Sequence, residues 1–423
     1  MKIKKVRVKD YRSIIDSGEF EIDADKTILV GPNEAGKTAL LQAIQYLNPP
    51  GGVRKLNPLR DYPRAHFSKI KLGEVDPSKV RVVEAEFVLD DKDREHLPEE
   101  MKDANYVMWR NLDNSTGHRL SGAPPKTTFL DIEKDLKRLA AHVDGRFELP
   151  EEGFAVTPSE ELRTIIEGWN VNSIIEGEKA ESLLKWLDSA LVLVDEDNKK
   201  EEKRFDTLKR LIGIADARNS AVQELRKRVP IFVLFSNYFR VRPIIHLRQL
   251  ASRIANGSLD DERYDYGNVC LLKLLGFTAA ELSEMGVAVD PDAANAEALE
   301  SFREKLDERH YLLNSAEVNL TREIRLVWNP DEKKGEAAKL RLRADGQYLK
   351  VTVEDDLGVE VELDQRSEGF QWLVSFFVVF FAEAEGDHKN AVLLLDEPGM
   401  SLHALKQREF RKTISRLATN NQT

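Results

Sequence analysis

The chain has a single cysteine, Cys270, in 423 residues. One thiol cannot close an intramolecular disulfide, and no cysteine-based metal cluster can form around it; such low usage fits a reducing compartment, so a cytoplasmic location is expected. Long hydrophobic runs are also missing. The longest, Trp372 to Ala382, is broken by Ser375 and falls short of the roughly 20 apolar residues that span a bilayer, so no membrane is expected as a partner. Met1-Lys2-Ile3-Lys4-Lys5 leads into an alternating pattern and lacks the apolar core of a signal peptide. Net positive charge is absent as well: 63 Lys and Arg face 74 Asp and Glu, a formal charge of −11. That balance excludes a chain that coats nucleic acid over its whole surface and leaves only local basic patches. Candidates are Arg54, Lys55, Arg60 and Arg64, or Arg240, Arg242 and Arg248; in a sequence that is 32% charged such clusters are usually solvated faces. With 41% hydrophobic residues, the length suffices for two or three domains.

What the sequence does contain is a phosphate loop. Gly31-Pro32-Asn33-Glu34-Ala35-Gly36-Lys37-Thr38 is a complete G-x-x-x-x-G-K-T motif, placed after the apolar run Thr27-Ile28-Leu29-Val30 and before the helix-favouring Ala39-Leu40-Leu41-Gln42-Ala43-Ile44. Strand, glycine loop and helix are the context in which the motif works; an ordinary glycine turn is the reading that this context opposes. The glycines let successive N–H groups, Ala39 included, converge on a polyphosphate at the positive end of the helix. Lys37 is expected to reach the β/γ-phosphates and Thr38 to ligate Mg²⁺, which points to ATP and Mg²⁺ as cofactors.

The periodicity divides the chain into stretches. Lys4 to Asp23 alternates around Tyr11-Arg12-Ser13 and predicts two strands; Val80 to Val88 predicts another, with sheet continuing to about Phe129. Helical spacing then holds from Leu130 to Val229, interrupted by the charged run Asp195 to Arg204, which reads as a solvated loop. Pro230 to Phe235 is an apolar strand, and a small helical region follows from His246 to Gly286. Ala293 to Val327 carries Leu299, Leu306, Leu313, Leu320 and Val327 seven residues apart. This stripe suits a short antiparallel pairing with the Phe205 to Val229 helix, or a helix laid on the core by one face. From Ala338 the period returns to two with turns at Asp345-Gly346 and Leu357-Gly358, a β-meander that leads to a buried helix after Arg366-Ser367-Glu368-Gly369-Phe370-Gln371-Trp372.

Ala391-Val392-Leu393-Leu394-Leu395-Asp396-Glu397-Pro398 completes a nucleotide site on paper. A buried parallel strand reads as a continuous apolar run, and ligands sit at its carboxyl end. There Asp396 is expected to hold Mg²⁺, and Glu397 to orient or deprotonate the water that attacks the γ-phosphate. A strand end that simply terminates at Asp-Glu-Pro is the alternative.

The phosphate loop and Leu393 to Pro398, separated by a helical insertion and preceded by Tyr11-Arg12-Ser13, resemble the ABC-type ATPase head of the RecF/SMC group. More narrowly, Arg366 to Trp372 and Leu394-Leu395-Asp396-Glu397-Pro398-Gly399-Met400-Ser401-Leu402-His403 resemble the OLD (overcoming lysogenisation defect) family. The resemblance implies an α/β fold: a mixed sheet around the phosphate loop, an antiparallel β lobe, a helical insertion and short helical arms. It divides the chain into the first half of the head at 1–129, the insertion at 130–229, a strand and small helical region at 230–290, an arm at 291–327 and the second half of the head at 328–423. By the same resemblance Ser367 and Gly369 belong to the signature motif that caps the γ-phosphate held by an opposite subunit, although read alone Ser367 is a helix N-cap. Arg12 resembles the arginine that approaches the phosphates, a plain surface arginine being the alternative. Asp61, in Asp61-Tyr62-Pro63-Arg64, lies where a Mg²⁺-sensing loop would be, or is a turn before Pro63.

The resemblance further implies an ATPase that dimerises on ATP and regulates a DNA-directed activity through an attached or associated Toprim nuclease, in defence against phage or in DNA repair. His403 replaces a common aspartate, and neither a switch histidine nor a Toprim domain is found before Thr423, so a longer natural protein is expected. Two rivals remain in view: a sensor scaffold that holds and releases a separate effector or helicase-like protein, and an SMC-like clamp, which a single partial leucine stripe disfavours.

Overall fold

The computed structural model describes residues 1–51, 53–95, 97–148, 156–195, 197–236, 240–259, 264–287, 296–328, 339–354, 358–384, 391–417 and 422–423. The chain opens with the expected antiparallel pair, β1 (Lys2–Tyr11) and β2 (Ile14–Glu21). Ile3, Val6, Val8 and Tyr11 of β1 are buried, while Lys5 stands opposite Glu21, Arg7 opposite Glu19 and Lys9 opposite Asp16, with a bulge between Arg7 and Lys9. Then come α1 (Lys37–Gln45), α2 (Pro58–Asp61), α3 (Phe67–Lys71), β3 (Arg81–Val88), α4 (Asp91–Arg94), β4 (Asn105–Asn111) and β5 (Thr116–Ser121). Strand order in this sheet is β2-β1-β3-β4-β5. β5 stops at Ser121, short of the boundary expected near Phe129, because Gly122 turns the chain at positive φ and Pro124 and Pro125 have no N–H for a ladder.

Two expectations about the early and middle chain need correction. Thr27 to Val30 is not a strand: Thr27 donates its N–H to the Thr423 carbonyl, Ile28 and Leu29 line an apolar cleft of about 370 Å³, and Val30 is 91% exposed. An apolar β-branched run forms a strand only when an adjacent edge supplies a ladder. The charged run from Asp195 to Arg204 is a loop only in its first part. Helix α8 (Lys199–Lys227) already begins at Lys199, after Asn198, whose side chain accepts the Lys200 N–H. Lys, Glu and Arg are good helix formers, and Glu201 and Glu202 sit in the first turn, where the helix dipole favours them.

Before α8 lie α5 (Phe129–Asp144), α6 (Pro158–Ile165) and α7 (Glu178–Ala190), helical as the periodicity predicted. After it come β6 (Ile231–Phe235), β7 (Ile244–His246), α9 (Leu247–Ala255), α10 (Tyr264–Leu274), α11 (Ala279–Met285), α12 (Ala296–Trp328), β8 (Lys339–Asp345), β9 (Tyr348–Glu354), β10 (Glu360–Glu362), α13 (Glu368–Ala384), β11 (Ala391–Leu395) and α14 (Ala404–Leu417). The chain divides into two compact units, one of residues 1–2, 86–108 and 118–229, the other of residues 3–85, 109–117 and 230–423. The first has its own helical core, in which Ile132, Leu136, Trp186, Leu208 and Ile212 are buried.

The second unit holds the meander and the nucleotide elements. β9 is its antiparallel hub, pairing with β8 from Lys339↔Glu354 to Asp345↔Tyr348 and also with β10 and β7. The expected turn at Leu357-Gly358 and the start at Ala338 lie partly outside the described residues. β11 runs parallel to β6, Ala391 beside Ile231 through Leu395 beside Phe235, as two continuous apolar runs suggest. Helix α13 is buried along Trp372 to Ala382; Trp372 stacks on Phe376 at 5.6 Å and meets the edge of Phe410 at 4.8 Å. In α12, Leu313 and Leu320 are buried against the core while Leu299 and Leu306 are exposed, the behaviour of a helix laid down by one face of its C-terminal half. The Val327 side chain and residues 293–295 lie outside the described set. Among the described residues no helix is long and apolar enough to cross a membrane. The fold is α/β, with a parallel strand pair beside the phosphate loop, antiparallel sheets and a helical insertion.

Candidate functional site: a phosphate loop facing a strand-end carboxylate pair

The carboxylates are set by the strand that precedes them. Asp396 continues the β11–β6 register by donating its N–H to the Phe235 carbonyl at 3.0 Å, so its side chain leaves the sheet at the carboxyl edge. The chain then turns within Glu397 to Met400, with positive φ at Glu397 (49°) and Gly399 (77°). A left-handed glutamate is uncommon and strained, and such strain concentrates at functional sites. Glu397 is exposed, whereas Asp396 is only partly so. Burial, joined by the adjacent Glu397 charge, raises the Asp396 carboxyl above the usual carboxylate range, against the opposing pull of the Thr38 hydroxyl and Lys37.

The phosphate loop supplies the other side. Gly36 sits at φ 88°, a conformation that side chains with a Cβ rarely adopt, and its αL geometry lets α1 start at Lys37. The Lys37 ammonium lies back over the loop and donates to the carbonyls of Gly31 and Pro32, both at 2.8 Å. Thr38 donates its hydroxyl to Asp396, 3.1 Å from Oδ1 and 3.0 Å from Oδ2, across 358 positions of sequence. A hydroxyl and a carboxylate oxygen are the hard donors that Mg²⁺ accepts from protein while it keeps phosphate and water oxygens elsewhere. An aspartate destabilised in its charged form by burial gains from a cation at that place. The residues present therefore fit a Mg²⁺-nucleotide. Gly31, Asn33, Glu34, Ala35, Gly36 and Ala39 belong to the same loop and first helical turn, with Gly31 to Ala35 exposed.

Other expected residues fall differently. Asp61 is fully buried, and both its oxygens are engaged: Oδ1 accepts from Arg12 and from Arg54, Oδ2 from Arg54 and from the Asn57 N–H. Among the described residues no hydrogen bond or ion pair joins it to Thr38 or Asp396. Burial pushes its carboxyl up, but the Arg54 and Asn57 hydrogen bonds and the charges of Arg54 and Arg12 outweigh that and bring it below the usual range. Ser367 begins α13, its carbonyl and hydroxyl accepting the Phe370 N–H at 2.9 and 3.4 Å. Gly369 is buried, and a Cβ there would meet the Ser401 carbonyl at 2.9 Å. Neither residue is hydrogen-bonded to the phosphate loop among the described residues. His403 is exposed and accepts the Gln407 N–H at the start of α14.

Sequence reading missed the roles of Gln42, which accepts from Arg12, and of Arg110, which donates to the carbonyls of Tyr46 and Leu47 at the end of α1. It placed Arg54 in a basic patch, whereas Arg54 grips Asp61. Local patterns carry no signal for partners 64 positions apart, as Arg110 and Tyr46 are.

Residues 1–224, more than half of the chain, match the family model described as the AAA ATPase domain, and the chain belongs to that family. The match makes the chain an ATPase by family and takes in the phosphate loop at 31–38, whereas Asp396 lies beyond the matched residues. Among solved structures, the chain is similar over its whole length to an Smc head bound to the C-terminal winged-helix domain of ScpA (12% identity, 88% of that chain, TM-score 0.36). It is also similar to the SMC head domain of Thermotoga maritima (12% identity, 100% of this chain and 87% of that one, TM-score 0.31). A third is the Smc head of Pyrococcus furiosus with an extended coiled coil, bound to the C-terminal domain of ScpA (13% identity, 100% of this chain and 88% of that one, TM-score 0.34). No curated protein matches the chain.

Proposed function

We propose that the chain is the ATPase head of an OLD-like, ABC-type protein of the RecF/SMC group, which binds Mg²⁺-ATP, closes as a dimer on it and reopens on hydrolysis. The observation that carries the reading is the meeting of Thr38 with Asp396 beside Lys37 and Glu397. Thr38 and Asp396 would hold Mg²⁺, which when bound neutralises phosphate charge. Lys37 exchanges its contacts with the Gly31 and Pro32 carbonyls for phosphate oxygens, so the cation is already at the loop when nucleotide arrives. The Glu397 carboxylate, exposed at the strand end, orients water and accepts its proton. Ser367 precedes the first turn of α13, and the positive end of a helix suits an anion from a second subunit. ATP held between two subunits favours the closed dimer by its differential affinity for that state. The output we infer is DNA-directed, the gating of an associated Toprim nuclease in the cytoplasm; this rests on the family resemblance alone.

Glu397→Gln tests the site. It keeps ATP binding, slows hydrolysis by about 10²- to 10⁴-fold and accumulates ATP-dependent dimers, read by size-exclusion chromatography with light scattering. Dimerisation indifferent to ATP in that variant would sink the sandwich mechanism, and hydrolysis that never responds to DNA would remove the DNA-directed output.

A further inference from the structure

The turn that ends β1 lies directly on the phosphate loop: Ser13 Oγ and Ile14 Cγ1 are both 3.6 Å from the place a Cβ on Gly36 would take. Arg12, in that turn, has φ 51°, an unusual conformation for an arginine, and its N–H is fastened to the Asp61 carbonyl at 2.7 Å. Its guanidinium is fixed on three sides. Nε and Nη2 reach Asp61 Oδ1 at 3.3 and 3.2 Å, Nη1 reaches Gln42 Oε1 on α1 at 2.5 Å, and the group lies 5.2 Å from the centre of the buried Tyr11 ring. Asp61 also takes Arg54 in a two-pronged pair, at 2.8 and 2.9 Å. Two guanidiniums on one carboxylate leave one positive charge in excess, and the Arg12 side chain keeps 36% of its surface open beside the helix that the phosphate loop begins.

We propose that Asp61 is a positioning residue for ATP hydrolysis. Anchored by Arg54 and the Asn57 N–H, it holds Arg12 against Gln42 so that the surplus positive charge faces the triphosphate of a nucleotide in the loop at 31–38. The inference rests on the ATP-site reading above and assigns Asp61 to an arginine clamp and not to the metal. A bidentate, charge-assisted pair fixes the direction of a guanidinium as well as its charge, which is what a phosphate contact that develops during reaction requires.

Steady-state hydrolysis by the full chain tests it with Asp61→Asn, Arg12→Gln and the double substitution, each titrated with Mg²⁺. Each single change lowers kcat at least tenfold, the double falls no further than Arg12→Gln alone, and the Mg²⁺ concentration for half-maximal rate stays at its wild-type value. A merely structural brace gives losses that multiply, and a metal ligand raises the Mg²⁺ requirement of Asp61→Asn; either result, or an unchanged kcat, overturns the proposal. If Asp61→Asn does not fold, Gln42→Leu, which removes the other anchor of Arg12, carries the test: a fall in kcat at constant Mg²⁺ dependence supports the clamp, and a wild-type kcat overturns it. A wild-type chain that binds no ATP defeats the ATP-site reading itself, whereas normal wild-type hydrolysis with indifferent variants defeats only the clamp.

Discussion

A methyl group added at Gly369 would lie 2.9 Å from the Ser401 carbonyl oxygen and 3.0 Å from Leu402 Cδ2. The first contact is backbone and cannot swing away, so Gly369→Ala is expected to cost about 1–3 kcal/mol of stability in denaturant unfolding. Ser367→Ala loses only a helix cap, about 1 kcal/mol. A Gly369→Ala variant that melts like wild type would mean that α13 does not approach the turn after β11 this closely. Asp61 makes a second prediction, in pH. Its folded-state carboxyl lies below the usual range, so the stability it contributes is present above its unfolded pKa, about 3.9, and is lost as pH falls through the lower folded value. Asp61→Asn, which cannot titrate there, is expected to flatten the acid limb of a melting-temperature profile between about pH 5 and pH 2; an unaltered limb would contradict the pairing. At this scale the sequence was legible where chemistry is local. Gly36, Lys37, Thr38, Asp396 and Glu397 announce themselves by residue type and spacing, while the partners of Asp61 depend on which arginines the fold brings to it.

Elements were legible when one pattern decided them. Two continuous apolar runs became the parallel pair β6 and β11, and period two became the β8–β9 meander. Thr27 to Val30 has the same composition as a strand but, among the described residues, makes a backbone pairing only through Thr27, because strand formation depends on an edge that sequence does not display. The leucine stripe of α12 is regular to the eye and uneven in space. Leu313 is 3% exposed and Leu299 42%. Leu313→Ala is therefore expected to cost about 2–5 kcal/mol and Leu299→Ala about 0.5 kcal/mol or less, compared by chemical denaturation; equal effects would mean that the two halves pack alike. In α13, Trp372 is wholly buried with its indole N–H unpartnered among the described residues. Trp372→Ala should cost about 3–5 kcal/mol, whereas Trp372→Phe keeps the ring stack on Phe376 and removes the unsatisfied donor, so its loss is much smaller.

For the whole molecule, the proposed site falls in one of the two units. Every proposed site residue belongs to the unit of 3–85, 109–117 and 230–423, and the helical core of Ile132, Leu136 and Trp186 contains none of them. Saturating Mg²⁺-ATP at about 100 times Kd is expected to stabilise the site-bearing unit by about 2.7 kcal/mol. Hydrogen exchange should slow in α1 and β11 and stay unchanged in α5 and α7; protection confined to α5 and α7 would place the ligand elsewhere. The sequence by itself determined that this protein has a phosphate loop, an acidic strand end and an α/β alternation, because backbone φ requirements, side-chain chemistry and hydrophobic period are properties of neighbouring residues. Only the tertiary structure decided that Thr38 meets Asp396, that Asp61 answers to Arg12 and Arg54, and that half of a leucine stripe stays in water. Those outcomes depend on burial and on hydrogen-bond geometry between residues tens to hundreds of positions apart, which no local pattern records.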